Sequence, residues 1–142
     1  MAYLKNLLRL VEPQSAIVPG TKSTGAITSV AVDAQGFDRV LHVIELGAFG
    51  ASASFDAEIT ESASAAGTYT LITSSGMVAA TAAKANKVIL IDVPANSAKP
   101  FQKIRSTATT QTVGVSAVAL CYGGSGTKPT TVEDTAETIF VA

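Results

Sequence analysis

The sequence predicts an all-β protein: an antiparallel β-sandwich or barrel, jelly-roll or immunoglobulin-like, with extended terminal arms. Three observations carry this expectation. First, residues 54–61 alternate, with Phe55, Ala57 and Ile59 on one face and Ser54, Asp56, Glu58 and Thr60 on the other. That period of two marks a strand with one dry and one wet face. Second, a small polar loop over residues 62–67 is followed by Tyr69 and Leu71 alternating with Thr68 and Thr70, which completes a β-hairpin with a long loop. Third, the rest of the chain repeats this idiom in about seven or eight short strands joined by Gly, Ser, Pro and Asn, the pattern of a sandwich or barrel.

Taken in order, the chain divides into an N-terminal arm or short helix (1–25), a β-sandwich domain (26–123) and a C-terminal arm (124–142). Leu4, Leu7, Leu8 and Val11 form an i, i+3, i+4, i+7 stripe that Glu12-Pro13 would end. Leu8, Leu10 and Glu12 could equally alternate on a strand. The stripe is interrupted by Lys5, Asn6 and Arg9 and is too short to span a membrane. It also lacks the layout of a signal peptide. Pro13, Pro19 and Gly20 make residues 14–25 read as a linker or exposed loop with a short apolar patch at 16–18.

Residues 27–32 read as a strand. Asp33 to Gly36 then form a turn, with Gly36 free to take φ > 0. In residues 37–46, Val40, His42, Ile44 and Leu46 share one face while Leu41 and Val43 occupy the other. Apolar residues on both faces mark a central strand or one with a covered outer face. Residues 77–85 read as a loop with a short strand or one helical turn. Residues 87–93 form a strand ended by Pro94. In residues 101–107, Phe101 and Ile104 break alternation, which suggests a bulge. The longest alternation sets Val113, Val115, Ala117, Ala119 and Cys121 against Gly114, Ser116, Val118, Leu120 and Tyr122. Gly123 to Gly126 is a flexible linker, and residues 138–142 read as an isolated strand. The expected core is Val40, Ile44, Phe55, Ile59, Leu71, Ile89, Ile91, Ile104, Val115 and Ala117.

A length of 142 residues suits one domain with a core of its own. Charged residues make up 15% of the chain, against roughly 25% in ordinary soluble domains. Two readings fit: a tightly packed small β domain, or one whose surface is largely covered by other subunits, since interface cores are depleted in charge. Ten basic and eleven acidic residues are scattered along the chain, so no electrostatic footprint for nucleic acid is present. A single cysteine, Cys121, excludes an intramolecular disulfide and a multi-cysteine zinc site, and its place in an alternating run makes it a core residue.

The search for chemistry finds no catalytic constellation. His42, the one histidine, lies on the same strand face as Val40 and Ile44, a core or edge position more than a general base. Asp56 and Glu58 share a face some 6–7 Å apart along the strand. That spacing would admit a glycosidase-like pair or a calcium site, but a solvated face accounts for it more simply. Asp33 and Asp38 flank a turn, where Asp bonds backbone amides. The Gly123-Gly124-Ser125-Gly126 run lacks the Lys-Ser/Thr of a phosphate loop. No serine sits in a Gly-x-Ser-x-Gly elbow. The sequence therefore implies no cofactor, no metal and no enzyme activity.

Three stretches together resemble the capsid decoration, or cement, proteins of tailed bacteriophages. They are Val32-Asp33-Ala34-Gln35-Gly36-Phe37-Asp38-Arg39-Val40-Leu41, a turn into a strand; Ala57-Glu58-Ile59-Thr60-Glu61-Ser62 with Tyr69-Thr70-Leu71-Ile72; and residues 88–93 followed by Phe101-Gln102-Lys103-Ile104-Arg105 and the long strand to Tyr122. The resemblance covers residues 27–124. It implies a non-enzymatic virion protein, made in the host cytoplasm, that binds the outer surface of the assembled capsid. Its partners would be the major capsid protein and copies of itself, with no nucleic acid or membrane. Similar modules serve in phage necks and tails. A jelly-roll carbohydrate-binding module is a further alternative, though the chain has no Trp and its eight aromatics are dispersed. The lone strand near the C-terminus needs a sheet edge to pair with. It either folds back on its own sheet or adds to a neighbour's; the second is expected, in a dimer or trimer, with Leu4, Leu7, Leu8, Ile139, Phe140 and Val141 as arm contacts to neighbouring subunits or the capsid.

Overall fold

The structure is a computed structural model and describes residues 11–27, 29–123 and 135–140. Along the described chain the strands are β1 (Val11–Lys22), β2 (Gly25–Ile27), β3 (Val32–Asp33), β4 (Arg39–Phe49), β5 (Ser54–Ser62), β6 (Thr70–Leu71), β7 (Ala80–Thr81), β8 (Val88–Pro94), β9 (Phe101–Thr109), β10 (Val113–Tyr122) and β11 (Thr135–Phe140). A single 3-10 turn, Ala82–Lys84, lies between β7 and β8.

One sheet has the order β1-β10-β4-β8-β11. The other runs β2-β9-β5-β6, with β3 also on β9 and β7 also on β5. With β2/β3 and β6/β7 each counted as one broken strand, eight strands remain before β11. The first pairs with the eighth (β1 with β10), the second with the seventh, the third with the sixth (β4 with β8) and the fourth with the fifth. A long antiparallel ribbon rolled up in this way is the jelly roll. Its sheets stay open, so neither the closed barrel nor the immunoglobulin strand order applies. β11 departs from the antiparallel pattern, since it joins β8 in parallel.

Alternation builds the core. On β4 the residues Val40, His42, Ile44 and Leu46 are buried, on β5 Phe55, Ala57 and Ile59, and on β10 Val113, Val115, Ala117, Ala119 and Cys121. β4 is a central strand, between β10 and β8. Of the expected core residues Leu71 alone lies outside, 47% exposed. Leu71 stands opposite Thr60, not Ile59, which places it on the outward face of the sheet, although Thr60 itself is buried there.

Other expectations change, among them the strand at residues 27–32, which is split between β2 and β3. Residues 14–25, expected as a linker within an N-terminal arm, contribute most of β1 and the start of β2, so the sandwich begins before residue 26. β1 is an edge strand with register shifts at Ile17 and before Gly20. An edge tolerates Pro13 and Pro19, which would be excluded from a central strand. Pro94 is the last residue of β8 and stands opposite Arg39. The bulge expected in β9 is absent: its pairing to β5 is continuous from Ser54↔Thr109 to Ser62↔Phe101. Phe101 and Ile104 differ in parity because a polar residue, Gln102, faces inward. As expected, Gly36 sits in the turn after β3 with φ of 84°.

Each broken strand leaves a gap beside a central strand, and a serine fills it. Between β6 and β7 the Ser75 hydroxyl accepts the Ile59 N–H at 2.9 Å and lies 2.7 Å from the Ile72 carbonyl oxygen. Between β2 and β3 the Ser29 hydroxyl accepts the Ile104 N–H at 3.2 Å. Ile59 and Ile104 stand directly opposite each other, so the two hydroxyls complete the ladder on both sides of the same central pair. Ser75 is fully buried, and removing its hydroxyl strands a buried N–H. Ser75→Ala is expected to cost about 1–3 kcal/mol, read as a lower urea midpoint at unchanged m-value.

Candidate interaction surfaces

The residues with chemical potential do not converge. His42 is fully buried between the sheets. Its Nε2 lies 2.9 Å from Gln102 Oε1, while Gln102 Nε2 donates to the Pro94 carbonyl at 3.1 Å. The second bond fixes the amide, so Oε1 must accept and the His42 proton sits on Nε2. Nδ1 is left without a hydrogen-bond partner. Burial lowers the His42 pKa from 6.5 to about 4, and the Gln102 bond opposes this only in part. A ring walled off from solvent in this way is a core residue.

Asp56 and Glu58 face outward on β5. Glu58 stands opposite Arg105 of β9 and forms an ion pair with it. The carboxylate spacing is thus taken up by a cross-strand pair beside Gly76, Met77 and Thr107. Asp33 caps its turn, its Oδ1 accepting the Gln35 N–H at 3.0 Å. The Asp38 N–H donates to the Tyr122 carbonyl at 3.2 Å. Cys121 is buried, with its Sγ 3.7 Å from Gln14 Nε2 and from the Asp33 carbonyl oxygen. Among the described residues no group of three His, Cys, Asp or Glu could hold a metal ion, and no helix is long and apolar enough to cross a membrane.

Sequence reasoning passed over a cluster on the outer face of the β1-β10-β4-β8-β11 sheet. The Asp92 carboxylate is fully buried. Arg39 Nε donates to its Oδ2 at 2.9 Å and the Tyr122 hydroxyl to its Oδ1 at 2.8 Å. Burial, joined by the bond to Asp92, pushes the Tyr122 hydroxyl up to about 12. For Arg39, burial is the largest single influence and lowers the pKa, but the Asp92 charge and the side-chain hydrogen bonds to Asp92 and Tyr122 together outweigh it, and the net direction is upward. The three side chains tie β10, β4 and β8 together at one end. Alternation places Arg39 and Tyr122 on outward faces, but only the strand order brings them to Asp92.

Beyond that cluster the same face turns apolar. Leu120 stands opposite Leu41, Val118 opposite Val43, and Val43 opposite Leu90. Val118 is 42% exposed. A depression of about 260 Å³ is lined by Val43, Glu45, Ser116, Val118 and Leu120. Its polar margin is the Ser116 hydroxyl donating to Glu45 Oε2 at 3.1 Å.

Of the expected arm contacts, Ile139 and Phe140 lie in β11, opposite Ile91 and Asp92. The strand starts at Thr135, earlier than expected, and takes the β8 edge of its own sheet. Leu4, Leu7, Leu8 and Val141 lie outside the described residues.

Fold and surface together define a jelly-roll sandwich distinguished by an apolar outer sheet face and a parallel strand added at one edge. No protein-family model matches the chain, and no curated protein matches it.

Proposed function

We propose that the chain is a non-enzymatic structural protein of a tailed-phage virion, made in the host cytoplasm, that binds the outer surface of the assembled capsid. The observation that carries a binding role is the apolar strip Leu41, Val43, Val118 and Leu120 on an outer sheet face, where a sheet open to water would carry polar residues. The address comes from the resemblance of residues 27–124 to capsid decoration proteins. The jelly roll is a fold that recurs in viral capsids, which supports the same reading by analogy. The partners proposed are the major capsid protein and further copies of the chain, as a dimer or trimer, with the terminal segments as additional contacts. Nucleic acid and membrane have no part in this reading.

Mass spectrometry and cryo-EM of purified particles test it. The chain should be present in many copies per particle, as density on the capsid exterior. Density confined to the neck or tail would move the role there, and absence from the particle would end the virion reading. On the surface itself, Val118→Asp should weaken particle binding by about tenfold or more while leaving the fold intact, as loss of an apolar contact at the centre of an interface does. Asp56→Asn and Glu58→Gln should leave binding unchanged. Equal binding by the Val118 variant would show that this face is not the contact.

A further inference from the structure

We propose that β11 is an exchangeable strand: it closes the β8 edge of its own sheet in the free chain and adds to the β8 edge of a second copy when copies are crowded together. The eight-strand roll is complete without it, since among the described residues every other strand pairing is antiparallel and internal to the roll. β8 is an interior strand only while β11 covers it. Ile89, Ile91 and Val93 are buried on one face, Leu90 and Asp92 on the other. Such an edge needs a partner strand, because its open backbone groups and apolar faces would otherwise invite uncontrolled pairing.

The connection is what makes the partner strand separable. Tyr122 lies at the Arg39 and Pro94 end of the sheet, whereas β11 starts at Thr135, opposite Val88 at the other end. Three strand spacings of ~4.8 Å across and six residues of ~3.3 Å along separate these points by about 25 Å. Thirteen residue steps reach about 43 Å when extended. The chain reaches its own β8 with slack, and that slack also lets it reach a neighbour's. Exchange keeps the same contacts, so the balance is set by concentration. A short tether supplies an effective concentration in the millimolar range, which keeps the free chain closed at micromolar concentration. Packing on a particle surface would remove that advantage. The inference rests on the capsid reading only for where crowding occurs, since exchange itself is measured without particles.

Deleting residues 124–130 leaves six steps, about 20 Å, too short for self-pairing. This variant should form dimers or larger closed rings at about 20 µM, a concentration well below that effective value, as read by light scattering after size exclusion. The full chain should be monomeric at the same concentration. Adding the pair Thr138→Pro and Ile139→Pro, adjacent residues whose N–H groups point to opposite sides so that one of them is lost from the ladder, should return the shortened chain to monomer. A folded monomeric shortened chain, or oligomers that survive the Thr138→Pro, Ile139→Pro pair, would overturn the proposal. If the shortened chain does not fold, the full chain decides: sedimentation at about 1 mM should show dimers or larger species, and a strict monomer there refutes exchange. Exchange without a place in particles would sink the capsid reading alone, and a particle protein that never exchanges would sink only this one.

Discussion

Truncating Ile59 to Ala is expected to lower the unfolding free energy by about 2–5 kcal/mol. Ile59 is fully buried at the middle of β5, directly opposite Ile104. Its backbone is clamped on the far side by Ser75, so the strand has little freedom to collapse into the space left by the lost atoms. A domain of this size has only about 5–15 kcal/mol in total, so the loss is a large fraction of the whole. Leu71→Ala is the internal control. Leu71 belongs to the same hairpin, but it is 47% exposed and should cost no more than about 1 kcal/mol, near the range of ordinary surface changes. Urea unfolding of the two variants compares them directly. Equal losses would mean that the hairpin register, with Leu71 opposite Thr60, is wrong.

The contrast between these two residues shows where the sequence is legible. Strict alternation in residues 54–59 and 113–122 reports an inner face faithfully, because each side chain there has one sheet face to choose. Leu71 sits on a two-residue strand whose register is set by its partner, and two residues carry no periodicity. β1 is hidden for another reason. Pro13, Pro19 and Gly20 are turn signals in a central strand but are compatible with an edge, and edge status depends on the distant β10. The same non-locality conceals the roll itself: Val11 pairs with Tyr122, more than a hundred residues away, and nothing local encodes that. Arg39, Asp92 and Tyr122 are ordinary residues until strand order makes them neighbours. The outer face was half visible, since Leu41 and Val43 opposite the inward residues already called for a covered face. What covers it is not written in any motif, because a contact surface needs only shape and apolarity, whereas a reactive site needs particular groups at particular spacings.

Acidification should destabilise the fold through His42. The neutral ring is buried with Nε2–H committed to Gln102 and Nδ1 unpartnered, so a second proton would place a charge in the core with no acceptor for its N–H. Burial therefore holds the pKa at about 4 in the folded chain, against about 6.5 in the unfolded chain. Above about pH 7 both states are neutral and the stabilising contribution is complete. Between about 6.5 and 4 the unfolded chain takes up a proton that the folded chain refuses, so stability falls as pH falls. The full gap corresponds to about 3 kcal/mol. Urea midpoints at pH 7.5, 5.5 and 4.5 should decline in that order. The double variant His42→Leu, Gln102→Leu removes the titrating group and its partner together, which limits the cost of leaving either unpaired. Its midpoints should decline less over the same range, the remainder belonging to carboxylates. Because the sequence holds a single histidine, one imidazole signal reports the site by NMR. In the folded protein that signal should stay at its neutral position until the pH is below about 5. A titration midpoint near 6.5 under native conditions would mean that His42 is not sealed in the core, and the fall in stability would then need another cause.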